Sequence, residues 1–234
     1  MPATPQFLTE QRRSVAAACH RLADAGLLIG TAGNVSVRAG EHIAVTATGA
    51  VLGHITPEQV TVVGPDGDVI AGHLRPTSEV ELHGGIYQRY DAGAVVHTHS
   101  PQATALSLVL DELPCVHYQQ LVLGGTVRVA PFATFGSPEL ADHVLSALDG
   151  RSAALMANHG AVVYGPTLEK AVDNALLLEW ACGLYLRAAT LGVPRVLDED
   201  QQAAVIRAAL RRGYGTTHPL DDTTHSIEEK KSRC

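Results

Sequence analysis

Ala94-Val95-Val96-His97-Thr98-His99-Ser100 is a short apolar run that ends in alternating histidines. Side chains alternate across a strand, so His97 and His99, two apart, project from the same face. A second stretch, Ala153-Ala154-Leu155-Met156-Ala157-Asn158-His159-Gly160, is another apolar run closing on a histidine, here beside a glycine. Three imidazoles at strand ends or turns can bind a divalent metal and leave a fourth position open to a substrate oxygen. A histidine among apolar residues is more ordinarily a hydrogen-bonded core or surface residue, and this chain has 12 histidines. The pairing of two on one strand face is what raises the metal reading. On these residues the chain reads as a metal-dependent enzyme.

Outward from the histidine strand, helical and extended patterns follow one another. Residues 9–25 carry Val15, Cys19 and Leu22 at helical spacing, with Thr9 as a cap and Gly26 as a stop. The glycine loop Gly30-Thr31-Ala32-Gly33-Asn34 precedes expected strands at 35–38 and 43–47. Residues 60–63 and 68–71 read as a hairpin about Pro65-Asp66-Gly67. Thr77 or Ser78 is placed to cap a helix running to about Tyr90, and a short helix is expected after Pro101. Strands are expected over 116–122 and 126–130, then a helix opened by Ser137-Pro138-Glu139. Residues 167–191 predict a long, largely buried helix, and 198–212 an amphipathic one. The sum is an α/β chain of α+β type, with a central, mainly antiparallel sheet flanked by helices. It is expected to form one catalytic domain over residues 1–215, followed by a polar, flexible tail at 216–234.

A length of 234 residues suffices for one large domain with a full core. Apolar residues make up 46% and charged residues 18%, an ordinary balance for a soluble protein. A net charge of −7 with no Lys/Arg block argues against nucleic-acid binding. It does not exclude an anionic substrate, because backbone N–H groups bind phosphate locally. Cys19, Cys115, Cys182 and Cys234 are widely spaced and read as reduced thiols, the first three in the core. No apolar stretch approaches the ~20 residues of a membrane span, and the N-terminus carries no signal-peptide pattern. A cytoplasmic protein is expected.

Several short motifs stand in a characteristic order over about residues 10–215. They are Gly30-Thr31-Ala32-Gly33-Asn34-Val35-Ser36, Thr46-Ala47-Thr48-Gly49, Pro76-Thr77-Ser78-Glu79 and the His97/His99 strand. Val116-His117-Tyr118, Phe132-Ala133-Thr134-Phe135-Gly136 and Asn158-His159-Gly160 complete the series. Each alone is weak. Together and in order they resemble the class II aldolase/adducin family, most closely its L-fuculose-1-phosphate aldolases. The resemblance implies one Zn2+ per subunit, held by His97, His99 and His159. It makes Glu79 the ligand that closes the metal site at rest and swings out to act as base and acid. From the residues alone, a glutamate in the first turn of a helix equally suits the positive end of the helix dipole. His83, one turn after Glu79, reads first as a packing residue beside the site.

The family binds the ketose phosphate at the positions of Gly33, Asn34, Thr48, Gly49, Thr77 and Ser78. Small residues, hydroxyls and N–H donors at turns and helix starts independently suit phosphate. Serine is common in the family where Thr77 stands, and threonine keeps the hydroxyl. Tyr118 matches the tyrosine that reaches a neighbouring subunit's active site, where its phenol would move a hydroxyl proton. Read alone, it is a tyrosine packing in a strand. Tyr214 falls where the aldolases carry a mobile C-terminal tyrosine near the site. A homotetramer with active sites at subunit interfaces is also implied.

The implied reaction is zinc-dependent cleavage of a ketose 1-phosphate into dihydroxyacetone phosphate and an aldehyde. L-Fuculose 1-phosphate or a related deoxy-pentulose 1-phosphate is the expected substrate. The chain has only three lysines (Lys170, Lys230 and Lys231), which argues against a Schiff-base aldolase. The family also holds L-ribulose-5-phosphate 4-epimerases, which carry aspartate where Glu79 stands. It includes methylthioribulose-1-phosphate dehydratases and the non-enzymatic adducin head as well. The latter would lack the metal ligands that this chain has.

Overall fold

The computed structural model describes residues 6–215, so the expected tail at 216–234 lies outside the described residues. These residues fall into two compact units, one running to Asp198 and one beginning at Glu199. The first is built on a nine-stranded sheet in the order β4-β3-β2-β1-β5-β9-β8-β7-β6. Its strands are β1 (Asn34–Ala39), β2 (His42–Thr46), β3 (Val60–Val63), β4 (Val69–Ala71) and β5 (Ala94–Thr98). β6 (Glu112–Leu113), β7 (Val127–Ala130), β8 (Ala153–Met156) and β9 (Gly160–Gly165) complete it. Every pairing is antiparallel except β7 with β8.

Strand alternation divides the side chains between two helical layers. Val35, Val37, Ala94, Val96, Leu155 and Val163 point into a core shared with α1 (Gln6–Asp24), α3 (Pro101–Ser107) and α5 (Leu168–Leu191). Val95, Ala154, Met156 and Val162 point the other way, toward α2 (Val80–Arg89) and α4 (Pro138–Ala147). His97 shares the parity of Val95, and Asn34 and Ser36 are opposite in parity to Val35 and Val37. The register pairs Asn34 with His97 and Ser36 with Val95. A polar stripe on β1 and β5 therefore faces α2. The three described cysteines, Cys19, Cys115 and Cys182, are buried free thiols. Among the described residues no helix is long and apolar enough to cross a membrane.

Close backbone approaches bring the histidine strand to its neighbours. Gly33 has φ 95°, and a Cβ there would stand 2.7 Å from the His97 carbonyl oxygen. A Cβ on Gly160 would stand 2.3 Å from the Thr98 carbonyl oxygen, so β9 can pair at the histidine end of β5 only with glycine there.

Two local expectations are corrected. Residues 116–122 do not form a strand. Buried Gln120 folds its side chain back to accept from the Val116 and His117 amides at 2.9 and 3.1 Å, which satisfies backbone groups that a sheet ladder would otherwise need. A 3-10 turn, Tyr118–Leu123, follows and ends on Gly124 at φ 100°. Secondly, neither Thr77 nor Ser78 caps α2; Glu79 occupies the capping position. Thr77 Oγ1 instead accepts from the Glu79 amide at 3.3 Å. β9 lies directly beyond His159, in a Gly160–Gly165 segment for which no element was expected although Val162, Val163 and Tyr164 favour a strand. In the second unit, α6 (Glu199–Arg212) opens on acidic and closes on basic residues, as the helix dipole favours.

Candidate metal centre and substrate cavity

His97 is fully buried on β5, and His99 follows just past the strand's end on the same face. His159 reaches them because Asn158 turns the chain in the left-handed region at φ 57°, the one non-glycine residue with positive φ among those described. Asparagine is among the few side chains that tolerate this conformation. The three imidazoles stand at mutual centroid distances of 4.8 Å, each pair edge-on at 65°, 80° and 87°. One ligand atom from each ring lies within 4.8 Å of the others.

The tautomer of His97 follows from its partner. Its Nδ1 lies 2.9 Å from the Ala161 carbonyl oxygen, which can only accept, so Nδ1 carries the proton. Nε2 then presents a lone pair to the centre, 3.0 Å from His99 Nε2 and 3.2 Å from Glu79 Oε2. Glu79 Oε1 is buried without a hydrogen-bond partner and lies 3.7 Å from His159 Nε2. Converging lone pairs and an orphaned carboxylate oxygen fit a cation, and this nitrogen-rich donor set suits zinc. Burial, then repulsion from the neighbouring imidazoles, pulls His99 down to about 4. Burial and His97 pull His159 to about 4 as well, so both rings are neutral at pH 7. Burial pushes Glu79 upward, but His97, the Asn34 amide, His159 and His83 outweigh it and hold the carboxyl below its ordinary value.

A cavity of about 450 Å3 opens beside these residues. Its lining includes Gly33, Asn34, Thr48, Gly49, Thr77, Ser78, Glu79, His99 and His159, which lie far apart in sequence. Phe132 and Phe135 border it as largely exposed rings, and Asn158 joins the wall. No lysine or arginine is among the described residues that line it. The amides of Thr48 and Thr77 bond to the carbonyls of Arg75 and Thr46, so these two residues offer hydroxyls rather than N–H groups.

Tyr118 is not among the described lining residues; it is partly exposed and stacks on His117, whose ring meets Trp180 edge-on. Tyr214 follows α6 in the second unit. Two roles went unassigned in the sequence reading. The Asn158-His159-Gly160 motif was noted without the left-handed turn at Asn158, which its place between a buried strand and a glycine signalled. Ser36 forms a buried hydrogen bond with His83 and another with Tyr87, and their signal was polar residues at positions with core periodicity.

The family model described as the Class II Aldolase and Adducin N-terminal domain matches residues 13–186. The chain is 36% identical over 197 residues to a 5-methylthioribulose-1-phosphate/5-deoxyribulose-1-phosphate aldolase of Rhodospirillum rubrum, covering 83% of this chain and 89% of that one. It is 37% identical over 196 residues to an L-fuculose phosphate aldolase of Escherichia coli, covering 83% and 91%. A solved L-fuculose 1-phosphate aldolase superposes with a TM-score of 0.82 at 32% identity, over 85% of this chain and 95% of that one.

Proposed function

The chain belongs to the class II aldolase and adducin family, making it a class II aldehyde-lyase, and we propose that it reversibly cleaves a ketose 1-phosphate into dihydroxyacetone phosphate and an aldehyde. The observation that carries this reading is the set of three equidistant imidazoles with one buried carboxylate facing them at the head of α2. In this reading His97, His99 and His159 hold one Zn2+, with Glu79 completing the set at rest. The ion supplies Lewis-acid stabilisation of the negative charge that C3–C4 cleavage leaves beside the ketose carbonyl.

The chain's own residues then move the protons. Tyr118, reaching a neighbouring subunit's site in a homotetramer, takes the C4 hydroxyl proton as the aldehyde departs. Glu79, ionised at rest, would take up a proton from solvent once displaced by the sugar and deliver it to C3, which completes dihydroxyacetone phosphate. Gly33, Asn34, Thr48, Gly49, Thr77 and Ser78 hold the phosphate. Thr77 suits that role because its Oγ1 already accepts from Asn34 and from the Glu79 amide, which directs its own proton to a further acceptor. The enzyme is read as cytoplasmic, with no nucleic-acid or membrane partner.

The sugar is L-fuculose 1-phosphate or 5-deoxy-D-ribulose 1-phosphate, in keeping with what the relatives are named for. A methyl group in an apolar pocket discriminates by only about 1–3 kcal/mol, so both should turn over at different rates. The test is product analysis with these two and with L-ribulose 5-phosphate, with and without a chelator. Chelator-sensitive release of dihydroxyacetone phosphate is expected. Pentulose interconversion without cleavage would make the protein an epimerase and refute the role given to Glu79.

A further inference from the structure

Running inward from Asn34, Thr77 and Glu79 in the cavity wall, polar side chains form an unbroken buried series. Tyr87 Oη lies 2.7 Å from Ser36 Oγ, and Ser36 Oγ lies 2.6 Å from His83 Nδ1. The other ring nitrogen, His83 Nε2, meets Asn34 Oδ1 at 2.5 Å. Asn34 Nδ2 then donates to Glu79 Oε2 at 2.8 Å and to Thr77 Oγ1 at 3.1 Å. Ser36 and His83 are wholly buried, and Asn34, Thr77, Glu79 and Tyr87 are nearly so. The series knits two stripes together: Glu79, His83 and Tyr87 at fourfold spacing along α2, and Asn34 and Ser36 at twofold spacing on β1.

Donor and acceptor chemistry gives the series one direction. An ionised carboxylate only accepts, so the Asn34 atom facing Glu79 is the amide nitrogen and the one facing His83 is the carbonyl oxygen. That oxygen must accept, so His83 carries its proton on Nε2. Burial keeps the ring neutral, drawing its pKa down to about 3. Nδ1 therefore accepts from the Ser36 hydroxyl, whose oxygen accepts in turn from Tyr87. Hydrogen bonds run one way, from Tyr87 through Ser36, His83 and Asn34 to Glu79 and Thr77.

The consequence falls on Asn34. A side-chain amide turned by half a revolution keeps almost the same shape, so shape alone does not hold its orientation. Turned over, its oxygen would face the Glu79 carboxylate and its N–H groups would face the Nε2–H of His83. Both contacts would be repulsive in a buried setting, where such mismatches are costly. We propose that His83, whose Nε2–H meets the Asn34 carbonyl while Ser36, bonded in turn to Tyr87, satisfies its other nitrogen, is a positioning residue that locks the Asn34 amide and so sets the Glu79 carboxylate and the Thr77 hydroxyl at the site. The catalytic consequence rests on the reading of Glu79 as the proton carrier of aldol cleavage; the lock itself is independent of it.

The test compares His83→Leu, His83→Gln, Asn34→Ala and the double variant, each as the metal-loaded full chain. Leucine fills the space of the ring without a donor, whereas glutamine returns an N–H near the position of Nε2. His83→Leu should lower kcat by about tenfold to a hundredfold with KM for the ketose 1-phosphate within about threefold. His83→Gln should recover most of that loss. In the presence of Asn34→Ala, His83→Leu should cost little more, because there is no amide left to lock. Equal losses with and without Asn34→Ala, or no recovery with glutamine, would reduce His83 to packing and overturn the proposal.

A second measurement needs neither variant nor substrate. In 15N-histidine-labelled wild-type protein, the His83 ring, assigned through its backbone, should be neutral with the proton on Nε2. An Nδ1–H form with Nε2 unprotonated at pH 7 would overturn the lock even in an active aldolase. The expected form in a protein that cleaves no ketose 1-phosphate would uphold the lock and refute only the proposed reaction.

Discussion

Gly160→Ala should damage stability and metal binding together, because the added methyl group lands on the backbone that carries the histidines. The new Cβ would sit 2.3 Å from the Thr98 carbonyl oxygen, 3.2 Å from the Thr98 carbonyl carbon and 3.3 Å from the His99 Cα. Ordinary C···O contacts are at roughly 3.3 Å or more, so β5 and β9 must separate locally by about 1 Å. Overpacking of this kind costs about 1–3 kcal/mol, and a chain of this size then melts about 2–12 °C lower. The displacement falls between His97 and His99 on one side and His159 on the other. A misplacement of about 1 Å can cost on the order of a hundredfold in a site of fixed geometry. Melting of the chelated protein and zinc competition with a chromophoric chelator measure the two effects separately. The control is Gly84→Ala on α2, where an added Cβ meets nothing within 4 Å. It should stabilise by about 0.5–1 kcal/mol and leave zinc affinity unchanged. If Gly160→Ala melted and bound zinc like the wild type, the account of how β9 seats the third histidine would be wrong.

His97→Ala should remove zinc and activity together, as metal analysis alongside a cleavage assay would show; a metal-replete, active variant would contradict the mechanism. Glu79→Gln should lower turnover by about 10²–10⁴ while the metal-loaded protein still binds inorganic phosphate by calorimetry. Unchanged turnover would leave Glu79 as a helix-terminus residue only. The metal-free protein should lose stability on acidification because His83, neutral in the fold until about pH 3, gains a proton near pH 6.5 when unfolded. This contribution is whole above pH 6.5 and falls away between there and pH 3, by at most about 5 kcal/mol. Urea melts across that range should show a shallower slope for His83→Gln, and an identical slope would exclude His83 as the source.

The metal ligands were legible because their signal is local. His97 and His99 alternate on an apolar strand, and His159 ends another, so sequence spacing alone put two of the three on one face. The long helices and the β3–β4 hairpin were legible for the same reason, since their periodicity and turn residues act over a few positions. What escaped reading depends on side-chain contacts that periodicity does not encode, most of them with partners far along the chain. Residues 116–122 have the apolar content of a strand, but Gln120 supplies the acceptors locally and the ladder never forms. Glu79 looked like a first-turn residue under a Thr77 or Ser78 cap. Thr77 is drawn instead into the network with Asn34, which is 43 residues away in sequence. His83 read as packing because its partners Ser36 and Asn34 face it only once β1 has paired with β5, a contact that no local pattern announces.

The two faces of the sheet divide the work of folding from that of chemistry. Toward α1, α3 and α5 the inward positions of β1 and β5 include Val35, Val37, Ala94 and Val96, a surface apolar but for Thr98 at the end of β5. Toward α2 the same strands present Asn34, Ser36, Val95 and His97, a stripe that is three-quarters polar and still buried. Burying polar groups without partners costs about 1–3 kcal/mol each in protein experiments, so such a stripe survives only if each group is bonded. Asn34, Ser36, His83 and Tyr87 meet that demand among themselves. At the cavity end the series stops at Glu79, whose Oε1 is the one carboxylate oxygen left without a hydrogen bond among the described buried atoms. The unsatisfied valence thus sits at the imidazole centre, where a cation can take it up. A sheet face otherwise suited to an apolar core carries its polar exception along one line, and that line ends at the metal centre.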